Sequence, residues 1–429
     1  MHDISRFATA LSAVGLAWQL STGSAGAQDV TLDVLYAQPG FAKYHEPIAQ
    51  SFMAKHPNIK ISFRAPAANY DEGHQTMMRQ SITNQLPDIY VPGFHLLEEL
   101  TSALTKRGQI LELGPMFEAE PASWRDANYA ESMINLGKVQ GKLYGLPVNA
   151  SLPIMYFNTE LVRKAGGDPQ HMPDTWEGII ALAKKVKETS PGVAGVGYDA
   201  HDWPDDWLFR ALIHQGGGTM VDTTGPKAAF GGEPGLKALQ HLRRFVTEGG
   251  MPLIDFDSSR AQFTAGQMGI HFDTPARLRV ISDQIGSKFT LGTEIFPIDN
   301  KQKGGIPTGG SAIIITTKDP AKQKAAWEYA KFLTGPEAQK VVVEVTGYLP
   351  TNKLAAGPDY LGPFYKANPH FQTAARETER ALPWQGYPGG NSVRVWRTQR
   401  EIIVGVMRGE IAPEAGLDRL VKETNALLK

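Results

Sequence analysis

Pro147-Val148-Asn149-Ala150-Ser151-Leu152-Pro153-Ile154-Met155-Tyr156-Phe157-Asn158 is followed about fifteen residues later by Pro173-Asp174-Thr175-Trp176-Glu177. The first stretch reads as the place where the chain leaves one lobe, enters a second and lays polar backbone across the gap between them. A pocket between two lobes is where a small molecule is expected to bind.

Working outward from that point, alternating strand and helix patterns appear on both sides. Val30 to Tyr36 alternates like a half-buried strand, and Glu46 to His56 reads as a helix with Pro47 in its first turn. Strand Ile59 to Phe63, helix Gly73 to Asn84 and the apolar strand Asp88 to Val91 follow. This order predicts an α/β fold with mostly parallel sheets covered by helices. Beyond the gap come helix Trp176 to Glu188, strand Ala194 to Tyr198, and helices Glu233 to Glu248 and Ser258 to Ala265. Gly266 to Phe272 is a glycine-punctuated strand, and the β-branched run Ala312 to Thr317 suits a strand buried on both faces. Helices Ala321 to Leu333, Pro336 to Thr346 and Pro413 to Leu428 close the chain.

The ends and the composition narrow the function. Arg6, the apolar run Phe7 to Leu20 and the small residues Ala25-Gly26-Ala27 predict a secretory leader over residues 1–27, cleaved before Gln28. No later apolar run is long enough to span a bilayer. The chain has no cysteine, which excludes disulfides, thiolate catalysis and cysteine-bound metals. A mature terminus without cysteine favours a free protein in a Gram-negative periplasm. The net charge of -1, from 43 basic and 44 acidic residues, leaves no electrostatic footprint for nucleic acid. About four hundred mature residues exceed what a single core usually serves, so two lobes are expected.

Leu86-Pro87-Asp88-Ile89, Tyr144-Gly145-Leu146-Pro147, Met155-Tyr156-Phe157-Asn158, Pro173-Asp174-Thr175-Trp176, Phe263 to Gly269, Thr308-Gly309-Gly310-Ser311, Ala326-Trp327 to Phe332 and Thr346-Gly347-Tyr348-Leu349-Pro350 occur in that order. In this order and spacing the chain resembles the extracellular solute-binding proteins of ABC importers, in the group that binds carbohydrates and glycerol phosphates. The resemblance implies a periplasmic binding protein-like fold of two lobes, similar to that of maltose-binding proteins, that closes on solute like a hinged trap. It places three chain crossings near residues 146–152, 268–275 and 307–315. The lobes then comprise 28–147 plus 275–311, and 148–274 plus 312–429. It also implies a monomer without cofactor that delivers its solute to the transmembrane subunits of a permease and performs no chemistry.

Solute contacts are expected where crossings and loops line the cleft. A sugar or polyol needs amides, carboxylates and aromatic platforms in one water-excluding site. Trp203, in His201-Asp202-Trp203-Pro204-Asp205-Asp206-Trp207, is the expected platform, with Trp207 as packing. Tyr348 offers a hydroxyl from the second lobe. Asn149 and Ser151 lie on the first crossing, where capping or turn formation is the alternative role. Asp273 either binds a hydroxyl pair or caps the helix that follows Thr274. Gly309 and Gly310 let backbone amides approach a solute or permit the hinge. Gln38 and Tyr70 complete the first-lobe wall, with Asp71 and His95 as weaker candidates.

Glycerol-phosphate binders of this family carry an arginine in a late Gly-x-Arg-x-Gly-Asn segment. Here Gly386-Tyr387-Pro388-Gly389-Gly390-Asn391 has Pro388 at that position, with Tyr387 a further candidate contact. A phosphate without that fork of donors is held less well, so the expectation leans toward a neutral carbohydrate or polyol. Arg277 and Arg394 keep the alternative of a glycerol phosphate or glycerophosphodiester open.

Other chemistries find less support. The spacing of His201, Asp202, Asp205 and Asp206 matches no zinc or EF-hand pattern. Gly216-Gly217-Gly218 lacks the lysine of a phosphate loop and reads as a turn. A secreted glycoside hydrolase using two carboxylates such as Asp205 and Asp273 has no nucleophile elbow or triad context behind it. A purely sensory role beside a chemoreceptor is not separable from transport by sequence.

Overall fold

The computed structural model describes residues 29–222, 225–387 and 390–428; the expected leader over residues 1–27 and the position of Pro388 lie outside them. Two sheets form the frame. The first orders its strands as Ile59–Phe63, Val30–Tyr36, Ile89–Val91, Gly309–Ile315 and Gly145–Ser151. The second orders Leu291–Glu294, Ile154–Asn158, Met268–Asp273 and Ala194–Tyr198.

Strand chemistry explains both. Val30–Tyr36 is flanked by parallel partners and buries Leu32, Val34, Leu35 and Tyr36. Ile313, Ile314 and Ile315 are fully buried, as a β-branched run inside a covered sheet should be. The expectation of mostly parallel sheets is only half met. Gly309–Ile315 runs antiparallel to both its neighbours, and in the second sheet only Ala194–Tyr198 pairs in parallel. Gly309–Ile315 returns to the first sheet from the other lobe instead of through a crossover helix within that sheet, the connection that a parallel neighbour needs.

The motif Pro173-Asp174-Thr175-Trp176 acts locally and globally. Thr175 Oγ1 caps the helix Trp176–Thr189 by accepting Gly178 N–H at 3.3 Å, and Asp299 Oδ1 accepts the Trp176 N–H at 3.1 Å. The fully buried Trp176 ring then packs on Tyr198, Phe245, Phe272 and Phe296, with centroids 5.0 to 5.6 Å away. One residue thus ties a helix start to the centre of the second-lobe core. The first helix begins at Ala42, four residues before the expected start, and carries Pro47 inside it rather than in its first turn.

The sheets also correct the crossings and the lobe boundaries. The chain passes to the second sheet between Ser151 and Ile154 and returns between Pro307 and Gly309. It leaves again between Asn352, whose amide donates to Asn128 of the first lobe, and His370, which meets Thr293 beside the second sheet. No passage occurs at 268–275, because Met268–Asp273 and Leu291–Glu294 belong to one sheet. Residues 275–307 therefore go with the second lobe rather than the first. Gly309–Ile315 and the helices Pro320–Leu333 and Pro336–Val345, which pack on Val30–Tyr36 and Ala42–Lys55, go with the first.

Candidate functional site

A cavity of about 390 Å³ lies between the sheets where the crossings meet. Its first-lobe wall holds Gln38, Tyr70, Asp71 and His95, with Ser151, Gly309, Gly310 and Tyr348 at its base. The opposite wall holds Trp203, Asp205, Trp207, Phe256, Arg260, Arg277 and Trp384. Seven of the ten expected contact residues line this one space: Gln38, Tyr70, Ser151, Trp203, Gly309, Gly310 and Tyr348.

The base is polar and ordered by hydrogen bonds. Ser151 Oγ and Thr274 Oγ1 are 2.8 Å apart, joining the first crossing to the end of a second-sheet strand. Gly310 has φ 118°, and a Cβ there would lie 2.3 Å from the Asn149 carbonyl oxygen, so only glycine fits. Gln38 has φ 66°, an uncommon conformation for a side chain other than glycine, held by its N–H to Ala67 O at 2.8 Å. Burial pushes the Tyr70 hydroxyl up to about 12 and raises the Tyr348 hydroxyl well above its ordinary value, so both are neutral donors at neutral pH.

The second-lobe wall carries the aromatic surface. Trp203 is half-buried, with its ring 5.6 Å from those of both Trp207 and Phe256. Trp207 is almost fully buried and donates its indole N–H to Pro307 O at 2.8 Å. It supports the base of the cavity, where a Cβ on Gly309 would meet its ring at 3.3 Å. Trp384, absent from the expected set, adds a third tryptophan and lies under the Arg210 guanidinium at 4.8 Å. Its sequence signal was weak, because it sits in a proline- and glycine-rich loop without periodicity.

Asn149, Asp273 and Tyr387 stand behind the wall instead of on it. Asn149 is fully buried, with Nδ2 3.4 Å from the Tyr44 hydroxyl. Asp273 accepts Arg260 Nε and its neighbour Thr274 N–H, both at 2.7 Å. Burial raises its carboxyl, but Arg260 and His271 outweigh burial and hold it well below the usual carboxylate range. The cap is supplied by Thr274, whose Oγ1 accepts Ala276 N–H at 3.1 Å. Tyr387 donates to Asp206 Oδ2 at 2.9 Å, and Arg210 pairs with the same carboxylate at 2.8 Å. A two-carboxylate reaction through Asp205 and Asp273 has no geometric basis, since Asp273 is locked beneath Arg260.

The acidic cluster before helix Trp207–Gln215 is structural. Asp205 Oδ1 accepts Trp207 N–H at 2.9 Å, and Asp202 Oδ2 accepts Phe256 N–H at 3.1 Å. Among the described residues no group of three or more His, Asp or Glu side chains is placed to hold a metal ion. Gly216-Gly217-Gly218 forms the turn that ends that helix, with Gly217 at φ 83°.

Two cavity cations behave differently. Arg260 is committed to Asp273 and Asp257, both at 2.7 Å. Arg277 is half-buried, lines the cavity and has no ion pair among the described residues. Its charge is felt at Tyr70, Tyr156 and Tyr348, where it works against the larger effect of burial. Arg394, the other cation considered from sequence, is exposed and does not line the cavity.

Known proteins share this two-lobed fold. Residues 47–373 match the family model described as bacterial extracellular solute-binding protein. The sn-glycerol-3-phosphate-binding periplasmic protein UgpB of Escherichia coli K12 is 25% identical over 401 residues, covering 90% of this chain and 89% of that protein. UgpB of Yersinia pseudotuberculosis is 27% identical over 305 residues, covering 67% of this chain and 68% of that protein. UgpB from Mycobacterium tuberculosis, solved with glycerophosphocholine, superposes with a TM-score of 0.80 at 17% identity, over 93% of this chain and 98% of the other. The cyclic α-maltosyl-1,6-maltose binding protein from Arthrobacter globiformis gives 0.74 at 21% identity, over 93% and 99%. With this two-lobed fold, a cavity between the lobes and a family match across most of its length, the chain belongs to the bacterial extracellular solute-binding proteins, the capture subunits of ABC importers.

Proposed function

We propose that this protein captures a small polyhydroxylated solute carrying an anionic group, of the glycerol-phosphate type, and hands it to the transmembrane subunits of its permease. Arg277 is the observation that carries the reading. It is a guanidinium with no carboxylate partner among the described residues, set on the wall of a cavity of about 390 Å³ beside the neutral hydroxyls of Tyr70 and Tyr348. A guanidinium matches phosphate geometry with two parallel donors, and in a partly desolvated cleft that contact is strong. Ser151, Gly309, Gly310 and Gln38 supply further polar groups for hydroxyls, and Trp203 supplies a face for the C–H surface of the solute. Arg277 would take over the role that the arginine missing at Pro388 has in phosphate binders. A periplasmic location reached through the leader over 1–27, and action as a monomer, complete the reading.

A neutral carbohydrate is the second reading, favoured by the tryptophans and by Asp71 and Asp205 on the cavity wall. Isothermal titration with sn-glycerol 3-phosphate, glycerophosphocholine and maltose separates the two. The first reading expects binding of a phosphate ester and an affinity loss of about ten- to a hundredfold in R277M, the scale of a hydrogen bond to a charged group. Binding of maltose alone, unchanged in R277M, replaces it with the second.

A further inference from the structure

At the edge of the cavity, the lobes meet along one face of helix Phe94–Thr105, whose His95 lines the cavity while Glu98 and Glu99 lie beyond it. His95, Glu98 and Glu99 are spaced three and four residues apart, so they project from the same side of that helix. Each meets a different part of the second lobe. His95 Nε2 lies 3.8 Å from Asp205 Oδ2 across the gap and 3.9 Å from Asp71 Oδ1 on its own side, with its ring 5.5 Å from Trp384. The Glu98 carboxylate accepts the Gly386 N–H, and a Cβ on Gly386 would come within 2.9 Å of its Oε2. Glu99 Oε2 accepts Ser392 N–H at 3.3 Å, while its Oε1 is 3.2 Å from Nε2 of the buried His74.

The Glu99 contact answers a need in the second lobe. Ser392 opens the 17-residue helix Ser392–Arg408, whose first amides have no partner within the helix. Asn391 stands at the cap position without capping; its Nδ2 donates instead to Leu427 O at 2.9 Å. A carboxylate from the opposite lobe therefore sits at the positive end of this helix. Burial opposes the charge on Glu99, but His74 and Ser392 outweigh burial and keep its carboxyl below the ordinary glutamate range. Parting the lobes removes the cap, strips Glu98 of its amide and separates His95 from Asp205.

We propose that His95, Glu98 and Glu99 form a clasp that stabilises the closed lobes without solute, so that a share of the protein is closed before capture. Solute affinity then scales with the fraction of protein already in the competent form. The clasp rests on the two-lobed fold; its Glu98 and Glu99 arms lie outside the cavity lining, and only the His95–Asp205 arm faces the solute space.

The chain has no cysteine, so spin labels can be placed at two introduced ones. Gln75 and Arg397 are exposed on helices Tyr70–Thr83 and Ser392–Arg408, one in each lobe. Pulsed electron-paramagnetic-resonance distances between Q75C and R397C, on protein stripped of co-purified solute by dialysis, read the two populations. The clasp expects a closed population in the otherwise wild-type protein. Its ratio to the open form should fall about tenfold in E98A/E99A, the scale of losing a cap and its dipole partner. E99Q, which keeps an acceptor oxygen without the charge, should lose less. Circular-dichroism melting distinguishes opening from misfolding, and E99Q decides if the double variant fails to fold. A stripped wild-type background with no closed population overturns the clasp, as do E98A/E99A and E99Q distributions that match it.

Discussion

The base of the cavity and its rim hold the same two lobes together by opposite means. At the base, the crossings are joined by buried contacts, most of them neutral. Ser151 meets Thr274 at 2.8 Å between the lobes, while Tyr156 donates its hydroxyl to Thr274 O at 2.8 Å within the second lobe, and Gln339 Nε2 and Thr351 Oγ1 donate to Val148 O and Pro147 O at 2.7 Å within the first. At the rim, His95, Glu98 and Glu99 are half-buried charged groups that face amides and a carboxylate across the gap. The Ser151–Thr274 bond lies beside the crossing at 151–154, so its partners are kept close by the covalent link there. Charged groups at the rim exchange water for protein each time the cleft closes, so their balance stays small and adjustable. A hinge needs the first kind of contact and a closing edge the second.

The largest expected effect lies beneath the base. Asp273→Ala leaves Arg260 buried with only Asp257, itself largely exposed, as a partner. It should cost roughly 3–5 kcal/mol of stability in urea unfolding; a loss below about 1 kcal/mol would mean that Asp257 alone suffices for Arg260. Next is Gly310→Ala, which forces a Cβ against the Asn149 carbonyl at φ 118°. It should cost about 1–3 kcal/mol, read as a lowered melting temperature. Ser151→Ala removes one buried hydroxyl pair and should cost about 1 kcal/mol, with the labelled lobe distances unchanged. Altered distances would show that this bond helps to set closure rather than the hinge alone.

The smallest and most adjustable effect is pH dependence at the rim. Burial lowers the His95 pKa, but Asp205, Asp71 and Asp206 together outweigh burial and raise it above 6.5, while Arg210 is tied to Asp206. Asp205 is pushed up to about 6, chiefly by burial. A raised histidine value means that its contribution is full at low pH and fades as pH rises through that value. Asp205 is ionised only above about 6. The His95–Asp205 attraction is therefore strongest between about 6 and the raised histidine value. The closed population should decline on the alkaline side of that window, and H95Q should lose that alkaline decline. A wild-type profile identical to that of H95Q would assign the rim's strength to Glu98 and Glu99 alone.

Local structure was legible where the signal is short-range. The strands Val30–Tyr36, Ile59–Phe63 and Ala194–Tyr198 and the helices Trp176–Thr189, Glu233–Thr247 and Pro413–Leu427 stand within two residues of their expected positions. The helix Ser392–Arg408 was not anticipated. Its β-branched Val393, Val395, Ile402 and Ile403 weaken helix propensity, it follows a glycine-rich loop, and its cap lies almost three hundred residues away at Glu99. Cavity residues next to glycines and crossings, such as Ser151, Gly309, Gly310 and Tyr348, were expected from the family resemblance and the crossings it implies. Asp273 was misplaced because sequence does not reveal that Arg260, thirteen residues earlier, turns inward to meet it.

By itself, the sequence determined many of the elements and their αβ alternation, because caps, periods and turns act over a few positions, and its ordered motifs carried the resemblance to a two-lobed binding family that implied many of the cavity residues. Tertiary structure alone decided which sheet each late strand joins. Leu291–Glu294 pairs with Ile154–Asn158 and Gly309–Ile315 with Gly145–Ser151, across more than 130 residues of chain. It also decided that Arg260 is ion-paired while Arg277 has no ion pair among the described residues, and that one face of helix Phe94–Thr105 meets the opposite lobe. Those outcomes depend on which surfaces are buried together, and burial is a property of the assembled chain rather than of any stretch within it.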